Sequence, residues 1–330
     1  VGALPVLKIP IVVFVVIVGF FYAKASTFPP FIPPGQPAAA TTGDGAVSAQ
    51  MAQPLWQWAT GMTPSIYGVP GILSGAALVF FAFLGFDVVA TASEETKNPH
   101  KNVPLGIGVG MLLIIVMYML VAVVTTGMVS YADLAKQDSP SLATAFELVG
   151  ADWAAKIISF GIVLGLATVV MVLLLGLTRI VFAMSRDGLL PRGLSKTGKH
   201  GTPAVLQIVV GVVVALVAAL FDIGVLSDMV NIGTLSAFTL VAISIPIMRK
   251  KRPELPRAFR MPGNPWVPIL IALANFWLML NLSVLTWIRF LVWLVIGFAI
   301  YFSYGYWHAR LGKGDLSETL SDETDRAVNG

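Results

Sequence analysis

Cysteine is absent from this 330-residue chain, so disulfides and thiolate metal sites are excluded. Histidine is scarce: His100, His200 and His308 lie far apart, and no pair has the HExxH spacing of a metal-binding helix. Charge is scarce too. Asp, Glu, Lys and Arg make up 12% of the residues, where a soluble domain carries roughly 25%. There is no serine-nucleophile motif, no P-loop and no dinucleotide fingerprint. No cofactor, no metal and no enzymatic activity are therefore expected. Apolar residues are what the chain has in plenty, 57% of the total. That balance describes an all-α polytopic membrane protein. The net charge of +4 then follows from membrane topology and is no sign of nucleic-acid binding.

A membrane span needs about 20 apolar residues, and eight segments meet that need: 6–22, 72–93, 103–129, 153–185, 204–221, 225–248, 267–285 and 288–307. The fourth is long enough to tilt or to project from the bilayer. Chain entry at Val1 inside an apolar stretch, with neither a charged n-region nor a cleavage site, reads as no signal peptide. Basic residues fall unevenly between the loops. One set holds Lys97 and Lys101, then Arg186, Arg192, Lys196 and Lys199, then Arg249 to Arg252, Arg257 and Arg260, with Arg310, Lys313 and Arg326 in the tail. The opposite set holds Lys24, Lys136, Lys156 and Arg289. The positive-inside rule puts the first set and both chain ends in the cytoplasm, in the inner cell membrane.

Segment 1–310 thus reads as a single transmembrane domain. Its outer loop, 23–70, is rich in Pro, Gly, Ala and Thr and is expected to be a flexible or extended linker, with Trp56 and Trp58 touching the membrane surface or capping the protein, or else lying in a solvated loop with one interfacial turn. The polar, acidic stretch 311–330 is expected to be a disordered cytoplasmic tail.

The second span is the most informative. Its run ILSGAALVFFAFLGFDVVAT carries Gly85 near the centre and Asp87 two residues on. Hydrocarbon tolerates a helix break only where protein or a water-filled cavity satisfies the freed backbone groups, and an intramembrane carboxylate is functional by default. Broken helices mark the solute site of secondary transporters. Asp87 has two compatible readings: a group near a bound ammonium, or an N-cap for the half-helix that follows.

Four motifs carry a family resemblance: FFAFLGFDVVATASEETKNPHKNVPLGI at 80–107, LGLTRIVFAMSRDGLLP at 175–191, NIGTLSAF at 231–238 and KKRPELPRAFRMPGNPWVP at 250–268. In order and spacing they resemble helices 6 to 12 of the amino acid/polyamine/organocation superfamily, in its cationic amino acid transporter branch, and 6–22 resembles helix 5. The resemblance implies a partial LeuT-type fold: the last helix of the first inverted repeat, the complete second repeat and two additional C-terminal helices. Helices 1 to 4 have no counterpart here, and neither does the Gly-rich break of helix 1 that meets the substrate carboxylate. They stand as an expected partner.

What the resemblance implies about residues is specific. Backbone around Phe81, Ala82, Phe83, Leu84 and Gly85, with Asp87 close by, would receive an amino acid's α-ammonium, and Phe81 would gate it. Lys8 would occupy the sodium position of sodium-coupled relatives and exchange a proton, with the hydroxyl of Thr168 beside it. The prediction is a buried Lys8 facing Thr168, against the alternative of a lysine snorkelling to the interface. Thr168 bonding its own helix backbone is likewise the competing reading for that residue. Asn231, Gly233, Thr234 and Ser236 would form a polar strip on the pathway, or else a small-residue packing face. Glu94, Glu95, Asn98 and Arg186 would form a cytoplasmic gate, or else solvated loop charge. Arg179 is expected to snorkel. The function implied is the C-terminal portion of a proton-coupled amino acid transporter working by alternating access. The alternative is a non-transporting receptor or assembly module on the same scaffold.

Overall fold

A computed structural model of the chain describes residues 3–28, 32–35, 50–62, 67–86, 96, 98–137, 140–191, 193, 204–253 and 263–308. Among these residues every regular element is helical, and the one β feature is an isolated bridge between Pro54 and Ser283. The expected tail lies outside the described residues.

Four helices are long and apolar enough to cross a membrane. They are α4 (Pro99–Met128), α7 (Asp152–Arg186), α9 (Ile223–Lys251) and α11 (Val284–Ile300), the last continuing through a π-helical turn at Tyr301–Gly305. Four shorter apolar helices accompany them: α1 (Ala3–Tyr22), α3 (Gly68–Val79), α8 (Ala204–Leu220) and α10 (Trp266–Leu280). Three short helices, α2 (Leu55–Thr60), α5 (Tyr131–Ala135) and α6 (Leu142–Leu148), lie in the connections. Polar residues set several ends. Ser130, Ser141 and Ser283 each cap a helix by accepting a hydrogen bond from the backbone N–H three residues on. The apolar run 267–285 contains a turn for the same reason. Asn281 bonds back to the Trp277 carbonyl and Ser283 opens α11, so α10 stops at Leu280.

The helices pack as two groups. In the first, α1 lies against α4, α6 and α7 around Val15, Val124, Met128, Phe146, Ala154 and Ile158. Glycine makes this approach possible. A Cβ on Gly161 would come within 2.7 Å of Ile11, and one on Gly19 within 2.9 Å of the Met128 sulfur. In the second group, α3 packs on α9 and α10, and α11 packs on α9, around Ala77, Ile232, Leu235, Met279 and Leu282. A tilted ring contact between Tyr67 and Tyr131, ring centroids 5.4 Å apart, bridges the groups.

The connection between α1 and α3 is more than a linker. Near its middle, the Leu55 N–H donates to the Leu282 carbonyl at 3.0 Å, and the Val284 N–H donates to the Gln53 carbonyl at 3.1 Å. The Trp56 indole N–H donates to Asn281 Oδ1 at 2.9 Å, and its ring leans on Trp277. Residues 53–56 are therefore strapped across the α10–α11 turn. Trp56 is thereby held against the α10–α11 turn, while Trp58 stays exposed.

Candidate functional site

The α-helical ladder of α3 ends at Val79 and tightens into a 3-10 turn at Phe80–Phe83. The turn closes with the Leu84 N–H donating to the Phe81 carbonyl at 3.2 Å. Leu84 is extended (φ −64°, ψ 144°), and Gly85 follows at φ +116°. An added Cβ at Gly85 meets nothing within 4 Å, so backbone conformation and not space selects glycine there. Asp87 lies outside the described residues. A helix that ends this way presents the negative end of its dipole and carbonyls without their usual partners.

Two neighbours reach those carbonyls. The Tyr118 hydroxyl of α4 donates to the Ala82 carbonyl at 2.9 Å, and its ring meets Phe83 edge-on, centroids 5.1 Å apart. The Asn231 amide of α9 donates to the Leu78 carbonyl at 3.4 Å. Asn231 is fully buried, and its Oδ1 has no partner among the described residues. Phe238, two turns along α9, touches Phe80 before the break and Phe86 after it. Phe81 is 43% exposed and turns away from this packing.

The strip on α9 resolves into different environments. The hydroxyls of Thr234 and Ser236 donate to their own helix, to Val230 and Gly233 carbonyls at 2.8 and 2.7 Å. A Cβ on Gly233 would meet nothing within 4 Å, so no described helix uses that glycine for close packing. Asn231 alone of the four reaches another helix.

Lys8 and Thr168 both lie near Gly165 of α7. Lys8 is half-buried on α1, not buried, with Cε 3.9 Å from where a Cβ on Gly165 would lie. Gly165 is one turn before Thr168 on α7. Thr168 is 8% exposed, and its hydroxyl donates to the Gly165 carbonyl at 2.7 Å, the local backbone bond of the competing reading. The Thr168 oxygen keeps its own acceptor capacity.

At the far end of α7, Arg186 Nε lies 3.6 Å from Asp187 Oδ1, with both side chains more than half exposed. That is a surface pair. Glu94 and Glu95 lie outside the described residues. Arg179 and Asn98 are exposed.

Tyr118 escaped the sequence reading because a tyrosine in an apolar span looks like any other aromatic. Asp228 had a clearer signal, a carboxylate four residues into an expected span. Its Oδ2 accepts from the fully buried Thr286 hydroxyl at 3.1 Å, tying α9 to α11. Among the described residues no cluster of His, Asp or Glu could hold a metal.

A family model described as amino acid permease matches residues 3–306. The branched-chain amino acid permease BcaP of Bacillus subtilis (strain 168) is 47% identical over 247 residues, 74% of this chain and 53% of that protein. The methylthioribose transporter of the same organism is 39% identical over 308 residues, 93% of this chain and 59% of its own. Cationic amino acid transporter 3, mitochondrial, of Arabidopsis thaliana is 45% identical over 191 residues, 58% of this chain and 31% of its own. The chain thus spans about half the length of the two bacterial relatives.

Proposed function

Since this chain belongs to the amino acid permease family and is a multi-pass membrane protein, we propose that it is the C-terminal portion of a proton-coupled amino acid transporter. It works by alternating access on a partial LeuT-type fold of eight spans, 6–22 to 288–307, with both ends cytoplasmic in the cell membrane. The loop 23–70 then lies outside. The observation that carries the reading is the break after Phe83. A 3-10 turn, an extended Leu84 and a left-handed Gly85 leave a helix C-terminus, partly negative, where an α-ammonium can dock.

In this reading the ammonium is held by the carbonyls of Phe81, Ala82 and Leu84, with Phe83 and Gly85 shaping the turn, Asp87 close by and Phe81 closing over the substrate. Asn231 keeps the end of α3 in place and offers a buried acceptor toward the pathway, alongside Gly233, Thr234 and Ser236. Lys8 and Thr168 serve the proton in this reading, as the cation and the hydroxyl nearest Gly165. Glu94 and Arg186 belong to the cytoplasmic gate. The substrate carboxylate needs backbone amides from family helix 1, so the chain acts together with helices 1 to 4.

The test is uptake into liposomes under a pH gradient, with residues 1–330 alone and joined to a segment supplying helices 1 to 4. Labelled leucine, lysine and methylthioribose probe the side chain and the need for an ammonium. The expectation is saturable, gradient-driven amino acid uptake by the completed protein only, and loss of its pH dependence in Lys8→Ala. Saturable uptake by residues 1–330 alone would refute the need for helix 1, and unchanged pH dependence in Lys8→Ala would remove that lysine from coupling. A completed protein that binds amino acids without moving them would favour the receptor or assembly module.

A further inference from the structure

The hydrogen bond from Tyr118 to Ala82 has a meaning of its own. Ala82 sits in the 3-10 turn just before the break, and both residues face outward from the packed groups, Tyr118 being 41% exposed. A carbonyl without a donor at membrane depth is unfavourable. The phenol is a neutral, single-donor cover for it, and its ring is steadied by Phe83 at 5.1 Å.

We infer that the Tyr118 hydroxyl is a placeholder for the substrate's ammonium: it covers the Ala82 carbonyl in the empty site and is displaced when an amino acid docks. This rests on the ammonium site proposed above. The exchange favours the ligand because a charged N–H donor forms a hydrogen bond roughly twice as strong as a neutral one. The phenol can leave, since its ring is partly open and its alternative partner is water in the pathway. Tyr118 is thereby a specificity-determining residue. A ligand lacking an ammonium cannot compete for Ala82 and leaves the phenol in place. An amino acid must displace it, so the empty site's affinity is lowered by the fraction of molecules in which the carbonyl is covered.

The test compares wild type with Tyr118→Phe in the completed transporter, measuring leucine uptake and its inhibition by 4-methylpentanoate, which is leucine without its amine. The Phe variant should take up leucine with a KM about fivefold lower, as loss of one competing hydrogen bond implies. Inhibition by 4-methylpentanoate should not change. Tyr118→Met, which also lacks the hydroxyl, should behave like Phe. An unchanged or raised leucine KM in both variants would overturn the inference, and so would equal shifts for leucine and 4-methylpentanoate, the mark of a purely structural role. If wild type shows no saturable amino acid uptake, the ammonium site itself is wrong and the placeholder falls with it. Leucine uptake that is normal in wild type and indifferent to Tyr118 removes only the placeholder.

Discussion

The two helix groups are held by different chemistry. Around Phe146 and Ile158 the contacts are apolar and shape-driven, and Gly19 and Gly161 let backbones approach until no Cβ fits. Around Ile232 and Met279 the apolar core is smaller, and buried polar residues tie the helices: Asn231 to Leu78, Asn281 to Trp56, Thr286 to Asp228. In lipid there is little hydrophobic drive between helices, so close packing and interhelical hydrogen bonds are the two ways to associate. The first group uses one and the second uses the other. The break belongs to the second group, and Tyr118 reaches it from the first. A region tied by hydrogen bonds can exchange partners with a ligand. A region locked by interdigitated side chains can only move as a block.

The comparison can be broken most severely at the glycines. Gly161→Val should place atoms inside Ile11 and cost about 3 kcal/mol, read as loss of a monodisperse peak and a lower Tm in detergent. Gly233→Ala on α9, which meets open space, should leave stability unchanged or raise it by up to about 1 kcal/mol, since alanine favours a helix interior. If both variants behave alike, the glycines do not separate the groups. The second group should instead fail through its polar ties. Thr286→Val, which takes the donor from Asp228, should cost about 2 kcal/mol, and Thr286→Ser should restore most of it. Trp56→Phe keeps the ring against Trp277 but loses the bond to Asn281. It should cost about 1 kcal/mol and expose 50–60 to limited proteolysis.

The smallest effect lies in the α4–α6 connection. Hydrogen bonds from Lys136 and Ser130, together with the nearby Lys136 charge, hold the exposed Asp133 carboxyl below its ordinary value of 3.8. A depressed carboxyl contributes its stability above the unfolded value and loses it as pH falls through the lower folded value. Lys136→Gln should therefore lower Tm only slightly at neutral pH, and that small difference should vanish in strong acid and in high salt. A large neutral-pH change would mean that the pair is structural after all.

The apolar helices were legible because the bilayer imposes their length and composition. The break was legible because Gly85 stands in a specific motif and only glycine adopts its φ cheaply. Helix ends were less so: Asn281 and Ser283 sit inside an apolar run, and their turn becomes evident only from the bonds they make. The strap was invisible because the partners of Trp56 are more than two hundred residues away, and a Pro-rich loop carries no sign of what it will lie on. Asn231 was named among four polar positions, but which of them would reach another helix depends on rotation of α9 that no spacing rule fixes. Tyr118 gave no signal at all.

One consequence follows from the length of α7. Its 35 residues make a rod of about 52 Å, against a hydrocarbon core of about 30 Å. Tilting alone does not hide that excess, so one or both tips stand in the headgroups or beyond. A rod of this length is a lever. If it rocks rigidly by ten degrees about its middle, each tip sweeps about 4.5 Å. The middle barely moves, and Thr168 lies one residue from the midpoint of 152–186. The Lys8 contact thus sits at the fulcrum, where large displacements at the two faces of the membrane reach it as a change of angle alone.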